Sequence, residues 1–268
     1  MPATYAHYRF GCDVLKELPE RFHLSEKQNR QLFMIGLHGP DILFYYHPFR
    51  SNPIKQHGMD LHNRIASSFF ARALSVINSF EDQCEREGAI AYIDGVICHY
   101  VLDHFCHPHV YNLVDEGNFL HSEIESEFNR LLLLEDGFEP VGKVVTGHIV
   151  PSRFNARIIS RFYPVTEPKT LLQALKSFIF CENMLNLPEG RKRNLVSFAL
   201  RFSGNYDYLI HMMISVTPNP KLNESNLVLR DLYDKAVPLA VKLIHELESN
   251  LNGSLPLSHE YDHTFSRD

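Results

Sequence analysis

Apolar residues recur at three- and four-residue spacing through much of this chain, the period of helices that bury one face. The run from about Leu61 to Cys84 contains neither Pro nor Gly and predicts one helix. A second is predicted from Gly88 to His107, stopped by Pro108, whose missing N–H interrupts a helical ladder. A third covers His121 to Leu134 and closes at Asp136-Gly137. Later helices are predicted over Lys169–Leu185, after Pro168, then over Gly190–Ser215 and Ser225–Asn250, the last followed by Asn252-Gly253. Strand signals are thin. Val144–Val150 is β-branched in part, but it lies in the Gly- and Pro-punctuated stretch from Asp136 to Pro168. That stretch reads as a long surface connection, a lid or a rim. The expected fold is all-α, with about seven helices in a single multi-helix domain over residues 1–268.

Composition adds boundaries. The 268 residues are 44% hydrophobic and 22% charged, enough for a substantial core. A formal net charge of −6 offers no basic surface for nucleic acid. No apolar run approaches the roughly 18 residues of a spanning helix. Nothing after Met1 resembles a signal peptide, so the expected location is cytoplasmic. The five cysteines (Cys12, Cys84, Cys98, Cys106, Cys181) form no Cys-x-x-Cys pair and suit reduced core thiols better than a disulfide frame or a thiolate zinc site.

The chemistry-bearing signal is histidine. Of 16 in the chain, eight fall between His38 and His109, and their spacing matters more than their number. His99, Asp103 and His107 stand at i, i+4 and i+8, so at about 100° per residue they share an arc of about 80° on one helix. Two imidazoles and a carboxylate on one face can all give lone pairs to a metal. A buried helix whose histidines simply bond to backbone explains any one of them. Three in register among Val, Leu and Phe would be costly to bury without a cation. His121 and Glu125 form a second i, i+4 pair, which a bland surface helix explains equally well alone. A Gly39-Pro40 turn delivers Asp41 just before the apolar run Ile42-Leu43-Phe44-Tyr45. A lone Asp there is usually a cap or turn residue. His7 and His62 are isolated.

In order, His7, Asp41, His62, His99-xxx-Asp103, His107 and His121-xxx-Glu125 resemble the zinc-dependent phospholipase C family. Its fold is shared with the fungal single-strand-specific nucleases. The opening Met-Pro-Ala-Thr-Tyr-Ala-His and the segment Gly-Pro-Asp-Ile-Leu-Phe-Tyr resemble a cytoplasmic bacterial branch of it. The ordered matches cover residues 7 to 125. The resemblance implies two or three zinc ions: Asp41, His62, His99 and Asp103 on the first, and His107, His121 and Glu125 on the second. His7, a shared Asp103 and the amino-terminal residue would hold the third. Secreted relatives use an N-terminal Trp at that third position and place the ligand after Asp103 six residues on, at His109. This chain has no Trp. Loss of Met1 would leave the Pro2 nitrogen for the role, and His107-Pro108 resembles the cytoplasmic branch.

What the resemblance implies is hydrolysis of a phosphate ester, phospholipid included, by a phospholipase C-like phosphodiesterase using a metal-bound hydroxide. Asp41 would be both ligand and acceptor of the water proton. Two other readings stand beside it. One is a nuclease or phosphomonoesterase on the same scaffold, with Phe44, Tyr45, Tyr46 and Phe49 as stacking platforms. The other is a non-catalytic helical protein stapled by metal. An HD-type phosphohydrolase ranks low, because the adjacent pairs run Asp103-His104 and Asp262-His263, the reverse of its motif.

Overall fold

A long central helix sets the architecture, and the others pack around it. The computed structural model describes residues 4–19, 27–202, 206–251 and 255–266. Their helices are α1 (Thr4–Glu17), α2 (Lys27–Gly36), α3 (Pro53–His62), α4 (Ala66–Asn78), α5 (Gln83–Asp115), α6 (His121–Glu135), α7 (Arg153–Ser160), α8 (Pro168–Leu185), α9 (Arg191–Leu200), α10 (Tyr206–His211) and α11 (Asn223–Ser249). A 3-10 segment spans Gly39–Tyr45. The described residues contain no strand, only one isolated antiparallel bridge from Ile65 to Thr264. The fold is all-α, as the periodicity predicts.

Helix α5 begins where the Asp82 side chain accepts from the Glu85 N–H at 2.9 Å. It is buried almost without interruption from Gly88 to Asp103. Helices α1, α2, α4, α6, α7 and α11 all pack on it. At the α2 crossing the two backbones touch. A Cβ on Gly95 would lie 2.2 Å from the Phe33 carbonyl oxygen, and one on Gly36 2.1 Å from that of Tyr92. Only glycine at both positions permits this approach. The result seats the 3-10 segment, which follows α2 directly, beside the middle of α5.

Four sequence-based boundaries change. Pro108 does not stop α5, which continues to Asp115. Proline removes one rung of the ladder, but its fixed φ is itself helical, and packing carries the helix past it. The run from Leu61 divides, because α3 ends at His62 and α4 starts at Ala66. The 190–215 run gives the separate helices α9 and α10. The long 136–168 connection holds α7, capped where the Ser152 Oγ accepts from the Asn155 N–H at 3.0 Å. In the polar segment 256–266, Tyr261 and Phe265 are buried in the core.

Candidate metal centre

Four elements converge on one face of a fifth, α5. His99, Asp103 and His107 project from that face, as their spacing predicts, and all three are buried. Helix α1 brings His7, whose Nε2 lies 3.2 Å from Asp103 Oδ1. The 3-10 segment brings Asp41, and the last residue of α3 brings His62, with Nε2 3.0 Å from Asp41 Oδ1. His99 Nε2 stands 3.3 Å from Asp103 Oδ2. The first turns of α6 bring His121 and Glu125, 2.7 Å apart, and His107 Nε2 is 3.4 Å from the same Glu125 oxygen. Three sets have donor atoms within 4.8 Å of one another: Asp41, His62 and His99; His7, His99 and Asp103; and His107, His121 and Glu125. Gly39, at φ +44°, makes the first set possible, since a Cβ there would strike the His99 ring at 2.5 Å.

The donor set suits a divalent cation in its chemistry and its orientation. His62 Nδ1 donates to the Gly58 carbonyl at 2.7 Å. His107 Nδ1 donates to the Phe265 carbonyl at 2.8 Å. Each bond fixes the ring orientation and turns Nε2 toward the cluster, the usual arrangement around zinc-bound histidine. Those Nε2 atoms, both ring nitrogens of His7 and of His99, Asp41 Oδ1 and Asp103 Oδ2 are buried without a hydrogen-bond partner among the described residues. The close contacts between these atoms lack hydrogen-bond geometry, so they converge on a shared space rather than on one another. Buried polar atoms are seldom left so. A cavity of about 30 Å³ lies between His7, Asp103, His107 and Glu125. Larger surface grooves, of about 540 Å³ between α1 and α11 and about 590 Å³ between α7 and α8, have no histidine in their walls.

Electrostatics point the same way. Burial works against charge on Asp103, yet the imidazoles of His107, His99 and His7 hold it well below the usual carboxylate range. Burial likewise opposes charge on Glu125, and His121 and His107 hold it low. Asp41 is lowered against its burial by His62 and His99. All three stay ionised and attract a cation. Burial pushes His99 down to about 4, keeping it neutral and able to ligate. His107 behaves oppositely. Burial opposes its proton, but Asp103 and Glu125 together raise it to about 9. A metal ion entering this set would displace that proton.

All eight ligand candidates named from the sequence meet here. Of the two alternatives after Asp103, His107 joins the α6 pair, whereas His109 turns away to Ser225 Oγ at 3.0 Å. Pro2, the candidate amine for a third position, lies outside the described residues. Phe44, Tyr45, Tyr46 and Phe49 do not form one platform. Phe44 stacks on His62, Tyr45 stacks on Phe178, and Phe49 is exposed.

Several neighbours carried no ligand signal in the sequence. His38 Nε2 meets His148 Nε2 at 2.7 Å, and the His148 ring stacks on Tyr8, so the 136–168 connection closes over α1. Glu182 of α8 accepts from the Tyr45 hydroxyl at 2.6 Å and from Thr4 Oγ1 at 2.8 Å, tying α8 to both α1 and the 3-10 segment. His38 lies in the histidine-rich stretch and His148 outside it. Nothing local pointed to Glu182 or to the Phe265 carbonyl.

The model of one protein family, described as zinc dependent phospholipase C, matches residues 6–176. No curated protein and no solved structure matches the chain. No helix among the described residues is long and apolar enough to cross a membrane. The matched span exceeds half the chain and includes all eight converging side chains, so the protein belongs to the zinc-dependent phospholipase C family.

Proposed function

We propose that this protein is a zinc-dependent hydrolase of phosphate esters, a phospholipase C-like phosphodiesterase with a multinuclear zinc centre. Asp41, His62, His99 and Asp103 would hold one ion, and His107, His121 and Glu125 a second. His7 with the shared Asp103 would hold a third. The observation that carries this reading is the set of buried, unpartnered donor atoms aimed into a common space from four separate elements, with the His121–Glu125 pair of α6 beside them. Bound zinc would supply Lewis acidity and lower the pKa of a coordinated water to about 7, giving a nucleophile at neutral pH.

The chain's own residues would do the rest. Asp41, buried and ionised, would take the proton of the attacking water on its carboxylate oxygen. The Gly58 and Phe265 carbonyls hold His62 and His107 in place, so little reorganisation is needed as charge develops. The side chains of His121, 18% exposed, and His62, 12% exposed, are the cluster's most accessible imidazoles.

The test uses zinc-loaded protein with bis-nitrophenyl phosphate, phosphatidylcholine and single-stranded DNA as parallel substrates. Asp41→Asn and His99→Ala should each abolish turnover of the chromogenic diester while the helical circular dichroism is retained. Wild-type turnover in either variant contradicts the assignment. Cleavage of DNA alone would replace the phospholipase reading with the nuclease one.

A further inference from the structure

Helix α9 exposes the side that a helix normally hides. None of its residues is buried. Leu195, Phe198 and, on the turn that follows, Phe202 are 67%, 55% and 77% exposed. At about 100° per residue these three fall within an arc of about 60°. The Phe198 and Phe202 rings meet edge to face, with centroids 5.4 Å apart, so the stripe is already assembled. Lys192 and Arg201 lie on either side of it, and Arg191 leads it; all three are exposed. The fourth cation, Arg193, turns inward. Its guanidinium donates to the Leu187 carbonyl at 2.9 Å and the Ile214 carbonyl at 2.6 Å, fixing the helix to the body with the stripe outward. Residues 191–202 contain no Asp or Glu, in a chain whose formal charge is −6.

We propose that α9 docks this protein on the surface of an anionic phospholipid bilayer. An apolar stripe with cations along both edges is the pattern of a helix lying in a membrane interface, where aromatic rings enter the acyl boundary and Lys and Arg meet lipid phosphates. Charge complementarity selects this occupant. A second copy of the chain, related by a two-fold axis on this face, would set Arg191, Lys192 and Arg201 against their own counterparts. Anionic lipid offers the opposite sign, worth about five-fold in affinity for each basic residue near the surface. The position is also apt. Glu182, on the preceding helix, touches Tyr45 and Thr4 beside the ligand cluster. Arg191 follows nine residues later, within about 30 Å of chain reach. The inference rests on the proposed phosphate-ester activity only in making the substrate class a bilayer-borne phosphate ester; the docking itself requires no hydrolysis.

The experiment is flotation of the full-length protein with vesicles of phosphatidylcholine alone or mixed with phosphatidylglycerol, alongside turnover of a soluble phosphodiester. Wild type should bind the mixed vesicles and weaken as salt rises. F198S/F202S and R191E/K192E should each lower binding at least ~10-fold. Both variants should keep wild-type turnover of the soluble ester. Equal binding by wild type and both variants, no preference for the anionic vesicles, or a dimer in light scattering that F198S/F202S dissolves would each overturn the proposal. Vesicle binding as expected, without turnover in any form, would support the docking face and remove the hydrolase reading instead.

Discussion

At the scale of single residues, the cluster depends on atoms that are not ligands. The Phe265 carbonyl orients His107, and its ring is buried against His62, His99 and Tyr100. Phe265→Ala should therefore do two things. Removing the ring should destabilise the fold by about 3–5 kcal/mol. Freeing the carbonyl should weaken zinc binding 10–100-fold, as loss of an orienting partner usually does. Thermal melting and competition with a chromogenic chelator measure the two separately. A lower Tm with unchanged zinc affinity would show that the Phe265 ring is not what holds this carbonyl against His107. The contrast between ligand and support explains what was legible. His99, Asp103 and His107 declared themselves because a helix converts fixed sequence spacing into a common face. Asp41, His62 and His7 gained meaning only from their order in the family pattern. A backbone carbonyl 158 positions away from His107 leaves no mark in residue type, so Phe265 was invisible.

At the scale of elements, the closeness of α2 and α5 decides where Asp41 arrives relative to His99. Gly95→Ala should cost about 3 kcal/mol or more, because the added methyl meets the Phe33 carbonyl at 2.2 Å and backbone cannot rotate aside as a side chain can. Gly147→Ala is the matched control, since a Cβ there meets nothing within 4 Å, and it should change stability by no more than about 0.5 kcal/mol. Urea denaturation compares them. Equal midpoints for the two variants would mean that the helices separate without cost. The periodicity revealed that helices exist and which faces they bury, but not where each one ends. By the local rule Pro108 is a helix stop, but at this position packing prevails. Helix α5 is held on several sides by other helices, and one lost rung is small beside that burial. The short α7 was hidden by the Gly and Pro residues around it.

At the scale of the molecule, one continuous apolar core runs from Tyr5 to Phe265 and encloses a charged centre. Three buried carboxylates and five imidazoles would be an expensive choice for a helical protein without a cation. The all-α class was readable because alternating apolar patterns are nearly absent. The convergence of residues 7, 41, 62, 99 and 121 was not, since it depends on contacts between elements far apart in sequence. Metal content tests that convergence most directly. Purified protein, saturated with zinc and then desalted, should carry two or three zinc ions per chain by elemental mass spectrometry, and Asp103→Asn should carry at least one fewer. Less than one zinc per chain in the folded wild type, or an unchanged count in Asp103→Asn, would contradict the account.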